Sequence, residues 1–419
     1  MPGIWSFRFI LFFILVLFTQ PHMRYPFLIP LKLGKVFMAV ALLLHLMDCM
    51  TNGKPIIKGT KFTKVVLMLV VLGLITHFFN PAQKSNAWST EIDNIFKVGI
   101  VVLMLESQIV NIYRAIALMG TLMLGTIWWI KGGVRLALSG ATLTGDRLMG
   151  VNVTMIENPN FFAYLMVFFM PMYYYFYRVF AKSPIRFFFL GLLGSAAFIA
   201  LRTGSRTGFL ALGLVALMMI PRLWKESKGL LLTGIAGSIL LLSVAGASNI
   251  ERFKGMQESF IGLITGERKA ASQMDADELS ADSRWTKSVA TFKLIRKYPL
   301  LGVGTNPKPS VTGDFSRAKG KVHNEVLMAG RQMGFPGMIL YILLLYIPIK
   351  SATEVYKRMK YVWPEVADLA WTIRIMLSVV ILAGIFSPSA FHYPHMLTAV
   401  AMCSLANLVE AQFPGYTNA

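Results

Sequence analysis

The sequence predicts an all-α polytopic membrane protein of about twelve transmembrane helices, with one large polar loop that carries amphipathic helices. Three observations lead there. Of 419 residues, 55% are hydrophobic and only 15% are charged. Apolar runs recur along most of the chain, and one long polar, basic segment, residues 249–331, interrupts them. The net charge of +21 would suggest a nucleic-acid partner in a soluble protein. Here much of that charge falls in short loops between apolar runs, where it sets topology instead. Cys49 and Cys403 lie inside apolar runs, so neither a disulfide framework nor a thiolate metal site is expected.

In chain order, the apolar runs are residues 4–19, 31–50, 65–79, 92–105, 112–130 and 161–180, then 187–201, 207–220, 230–245, 335–349, 369–386 and 395–408. A span needs roughly 20 residues, and tilt or partial burial allows fewer. The first run reads as a span rather than a signal peptide, because no small-residue cleavage site precedes Pro21. The division expected is 1–248 with nine spans, 249–334 as the large loop, and 335–419 with three more. If the N-terminus is cytoplasmic, the inside loops carry Lys54, Lys58, Lys61 and Lys64, then Arg178, Lys182 and Arg186, then Arg222, Lys225 and Lys228, then Lys350, Lys357, Arg358 and Lys360. The alternate loops are poorer in Lys and Arg, so both termini are expected inside and the long loop outside.

Three features then share the outer face: residues 131–160, the turn LRTGSRTG at 201–208, and the long loop. Within the loop, DADELSAD at 275–282 reads as an acidic stretch ending in a helix N-cap. It lacks the fixed spacing of a calcium loop, so no metal site is expected. Residues 284–297 read as an amphipathic helix with Trp285, Val289, Phe292 and Ile295 on one face, ended by Pro299. The chain shows no internal repeat, which weighs against an inverted-repeat transporter. MYYYFY at 172–177 could line a groove between apolar helices, but it falls near the inner interface and reads rather as an aromatic belt.

Several residues could carry chemistry. Arg202 and Arg206 stand where a span begins, and a helix N-terminus with two arginines suits a phosphate; the other reading is that they snorkel to headgroups. Arg284 heads the amphipathic helix with Lys287 on the same side, either as a site or as a solvated charged face. His323 lies between the polar loop and the next helix, and histidine suits proton removal near neutral pH. Asn324 could cap that helix and Glu325 could pair with Lys321 or Arg331. His392 and His395 also fall on the outer side.

SRTGFLALG at 205–213, SRWTKSVATFKLIRKYPLLGVG at 283–304 and HNEVLMAGRQMGFPG at 323–337 follow one another in an order that resembles the O-antigen ligase and polymerase superfamily of bacterial envelope glycosyltransferases. RLMGVNVTMIENPNFFA at 147–163 is similar to that family's region ahead of a span. The resemblance implies a GT-C-like, metal-independent and cofactor-free glycosyltransferase of the inner membrane. Its donor would be an undecaprenyl-diphosphate-linked glycan, and its acceptor lipid A-core or a similar glycan or lipid. It implies that Arg206 and Arg284 bind the diphosphate, with Arg202 and Arg147 in support, and that His323 activates the acceptor hydroxyl at the periplasmic face. Ligase and polymerase share these motifs, and the single dominant loop leans toward ligase. The chain shows no glycosidase-like carboxylate pair. A transporter of lipid-linked glycans would place basic residues deep in several spans, whereas here they gather at the edges. A non-catalytic scaffold is the third reading, for which His323 would be dispensable.

Overall fold

The computed structural model describes residues 2–84, 90–140, 148, 158–244, 276–313, 322–386 and 393–414. Its main helices are α1 (Pro2–Thr19), α2 (Leu33–Asn52), α3 (Lys61–Phe79), α4 (Thr90–Gln108), α5 (Ile112–Leu138), α6 (Pro159–Val179), α7 (Arg186–Arg202), α8 (Arg206–Glu226), α9 (Lys228–Val244), α10 (Ala276–Lys297), α11 (Glu325–Met359), α12 (Pro364–Phe386) and α13 (Tyr393–Gln412). Each apolar run read from the sequence falls on one of them. Among the described residues there is no strand, only an isolated antiparallel bridge between Gln83 and Pro307. Among the described residues, six stretches are long and apolar enough to cross a membrane: Pro26–Asn52, Lys61–Phe79, Ile112–Leu138, Arg206–Glu226, Glu325–Met359 and Pro364–Phe386. The protein is an all-α, multi-pass membrane protein.

The core gathers around α6, every residue of which from Phe161 to Phe176 is buried. A helix that is apolar all round belongs in the middle of a bundle, and α6 packs against α5, α7, α8 and α12. This corrects the aromatic-belt reading of residues 172–177. Tyr173 is fully buried with its hydroxyl 2.7 Å from Thr126 Oγ1, and the Tyr174 hydroxyl donates to Glu226 Oε2 at 3.4 Å. With the polar tip satisfied, a tyrosine ring can join the core. The basic residues at that end also find partners. Arg178 lies 2.8 Å from Asp368 Oδ2, Arg222 Nε donates to Glu226 Oε1 at 2.9 Å, and the Arg222 guanidinium lies 4.5 Å from the Trp371 ring centre. These contacts tie together the ends of α6, α8 and α12.

At the opposite end, α10 packs against α11. Its start and its buried face each correct an expectation. The helix begins at Ala276, so Asp282 lies inside it rather than capping it. The face it buries holds Thr291, Leu294 and Ile295, whereas Trp285, Val289 and Phe292 remain exposed. Apolar residues occupy two sides of this helix, and the side that packs is the one facing Ala82, Val303 and α11. The 249–334 division falls partly on residues 249–275 and 314–321, outside the described residues.

Candidate functional site

His323 owes its position to a broken helix. Asn324, in extended backbone, accepts the Leu327 amide at 3.0 Å and so caps α11. Ten residues after Asn324, α11 breaks at Gly334, at φ 69° and ψ −166°. The arm 325–333 folds back on the arm 335–359: the Tyr341 hydroxyl donates to the fully buried Glu325 carboxylate, and a Cβ on Gly337 would stand 2.8 Å from the Ala329 carbonyl. Glu325 therefore accepts from Tyr341, a partner the sequence did not suggest.

A break inside an apolar helix leaves carbonyls and amides without intrahelical partners, and each must be satisfied by other groups. The turn that follows α10 supplies them. The Val303 and Gly304 amides donate to the Arg331 and Gln332 carbonyls at 2.7 and 3.2 Å, closing the end of the first arm. The Phe335 amide, opening the second arm, donates to the Pro299 carbonyl at 2.8 Å. Close approach of two backbones demands glycine. A Cβ on Gly302 (φ 61°) would lie 2.4 Å from the Arg331 carbonyl oxygen, and one on Gly334 would lie 2.4 Å from that of Pro299. The end of α3 fixes the same turn from below, as Asn80 Nδ2 donates to the Leu301 and Gly302 carbonyls at 2.9 and 3.1 Å. PLLGVG and RQMGFPG are thus two halves of one joint.

The joint sets α10 beside His323. Val322 is buried and His323 half-buried. Burial first, and then the charges of Arg284 and Lys287, push the His323 imidazole below its ordinary pKa. Two cations one turn apart on α10 thus act on the histidine, and its neutral form is favoured. The sequence singled out Arg284 and placed Lys287 on the same side; in the structure the charges of both act on His323.

Arg202 and Arg206 flank a separate turn at the same end of the bundle. Gly204 takes the left-handed conformation (φ 57°) and Ser205 Oγ accepts the Gly208 amide at 3.2 Å, capping α8 with Arg206 as its first residue. Both arginines are partly exposed, whereas Thr203 and Ser205 are fully buried. Gly208 lets α8 approach α6 closely, since a Cβ there would lie 2.7 Å from that of Ala163. The Leu148 amide donates to the Arg202 carbonyl at 3.3 Å, while Arg147 itself lies outside the described residues. Asn158 caps α6 by accepting the Asn160 amide at 2.9 Å, and Pro159 takes the first helical position. His395 is buried, its Nε2 2.9 Å from the Tyr164 hydroxyl; His392 lies outside the described residues. Among the described residues, the charges acting on His323 are those of Arg284 and Lys287. Arg206 heads a different helix, with α12 packed against both α8 and α11.

No curated protein matches the chain. Residues 187–342 match a family model described as O-antigen ligase. That segment opens on α7 and closes one residue after Tyr341, so it takes in the Arg202–Arg206 turn, α10, His323 and both halves of the joint. Over that segment, rather more than a third of the chain, the protein is similar to the O-antigen ligase family, which supports a glycosyltransferase of ligase or polymerase type.

Proposed function

We propose that this protein is an O-antigen ligase-like transferase. It moves a preassembled glycan from undecaprenyl diphosphate to a hydroxyl of lipid A-core or a similar acceptor, at the periplasmic face of the bacterial inner membrane. Both termini are cytoplasmic in this reading, and residues 249–334 form the periplasmic loop. The observation that carries it is a half-buried histidine with its neutral form favoured, set beside two cations at the tip of a helix held by a capped break.

A neutral imidazole can take the acceptor's hydroxyl proton as that oxygen attacks the anomeric carbon. The bond from that carbon to the diphosphate oxygen breaks, and the electron pair leaves with undecaprenyl diphosphate. Direct displacement inverts the anomeric centre. Arg206 and Arg284 hold the diphosphate and stabilise its growing charge, which bidentate guanidinium groups do well. Arg202 and Arg147 support them. The arginines supply this stabilisation without a divalent metal.

The test is purified protein in nanodiscs with a synthetic undecaprenyl-diphosphate glycan and candidate acceptors, with and without chelator. Arg206→Ala and Arg284→Ala run beside the wild type. The reading expects covalent transfer with inverted anomeric configuration, insensitive to chelator and strongly reduced in both variants. Glycan movement across a bilayer without covalent product would contradict it. Ladders of increasing repeat number would assign a polymerase instead.

A further inference from the structure

Helix α10 presents a second face that the site does not use. At 100° per residue, Trp285, Val289 and Phe292 form a stripe about 120° around the helix from the buried Thr291 and Ile295. Their exposures are 54%, 39% and 44%. Arg296 continues the stripe and Lys293 and Lys297 lie along one edge of it, all exposed. Leu300, 73% exposed, extends the apolar surface into the following turn. That turn is bonded through Leu301 to Asn80, the residue that ends the candidate span Lys61–Phe79. Phe78 and Phe79, at the end of that span, are 47% and 75% exposed. The turn at the end of the apolar stripe is therefore held at the rim of a candidate membrane-crossing helix.

We infer that α10 lies on the membrane surface, with Trp285, Val289, Phe292 and Leu300 inserted at the headgroup–acyl boundary and Lys293, Arg296 and Lys297 on anionic lipid phosphates. Large apolar side chains exposed along one side of a helix that does not span, with cations beside them, suit the headgroup–acyl boundary. The occupant is the lipid surface itself. Charge complementarity selects it, and so does attachment at the rim of α3. One consequence bears on the site. The same helix that grips the interface carries Arg284 and Lys287, so their height above the membrane is set by lipid contact.

The test uses full-length protein in nanodiscs. An environment-sensitive fluorophore is attached at Val289→Cys or, as the aqueous control, at exposed Ser283→Cys; Cys49 and Cys403 are both buried. Lipids brominated on the upper acyl chain should quench the probe at 289 at least threefold more than at 283. Iodide in the buffer should show the reverse order. Lys293→Gln with Arg296→Gln should remove the greater quenching seen in anionic over zwitterionic bilayers. Equal iodide access at the two positions would overturn the inference. So would a probe at 289 shielded from iodide yet unquenched by brominated lipid, which would indicate a protein partner or second copy. Quenching that appears only after a lipid-linked acceptor is added would also overturn it. None of these readouts depends on glycan transfer.

Discussion

Replacing Gly334 by alanine should dismantle the joint that positions His323. The residue sits at φ 69° and ψ −166°, a region that is essentially glycine-only. A side chain there costs about 1–3 kcal/mol in backbone strain alone. The new Cβ would also stand 2.4 Å from the Pro299 carbonyl oxygen and 2.6 Å from the Leu300 carbonyl carbon. These are backbone atoms that no rotamer change can move aside, so the turn must withdraw. Withdrawal breaks the amide bonds from Val303, Gly304 and Phe335 across the joint, each contributing about 0.5–1.5 kcal/mol net. Even with only part of that loss, the docked arrangement is destabilised by about 2–5 kcal/mol. At tenfold per 1.4 kcal/mol, its population relative to the open form falls by roughly 30-fold or more. Amide hydrogen exchange in nanodiscs should show Val303, Gly304 and Phe335 exchanging faster by that factor, with α6 and α12 unchanged. Glycan transfer should fall in parallel. Gly213→Ala is the control. That glycine has open space around its Cβ position, so alanine should be neutral or stabilise α8 by up to about 1 kcal/mol. Unchanged exchange and transfer in Gly334→Ala would refute the capped-break argument.

The acid limb of the transfer rate against pH should lie below the ordinary imidazole value of about 6.5, because burial and two cations hold His323 neutral. Lys287→Gln removes one of those cations, so the limb should move to higher pH; no movement, or movement to lower pH, would contradict the electrostatic assignment. Tyr341→Phe takes a donor from the buried Glu325 carboxylate and should cost about 1.5–3 kcal/mol, read as a lower thermal midpoint in detergent. An unchanged midpoint would remove Glu325–Tyr341 from the forces holding the two arms together. At the far end, Asp368→Ala strips Arg178 and Arg222 of a shared partner. It should cost about 1–3 kcal/mol, less than the roughly 3–5 of a fully buried pair, while transfer per folded molecule stays at the wild-type level. A loss of transfer there would mean that the two ends are coupled.

The apolar helices were the most legible part of the chain, because long apolar runs show in composition alone. The Asn324 cap and the start of α8 at Arg206 were also readable, since both follow local rules of helix ends. The joint was not. PLLGVG and RQMGFPG lie about thirty residues apart in the sequence, and nothing local says that the orphan carbonyls of one are closed by the amides of the other. Four glycines, two in a GxG and two in a GFPG, were the available signal. The buried face of α10 was misread for a related reason: apolar residues occupy two sides of the helix, and periodicity cannot tell the side that meets protein from the side that meets another apolar medium. MYYYFY failed as a belt because interfacial and core aromatics have the same composition. What separates them is whether a partner such as Thr126 reaches the hydroxyl.

The central claim is that His323 is the base, held neutral beside the cations that take the leaving diphosphate. Single-turnover transfer by His323→Ala, measured together with its affinity for the diphospho-lipid donor, tests it most directly. A positioned general base contributes roughly 10²–10⁴-fold. The account predicts a loss of that size in transfer, with the donor Kd held within a few-fold of wild type. Transfer within a few-fold of wild type would contradict the assignment of His323 as the base, and a loss confined to donor affinity would contradict it equally.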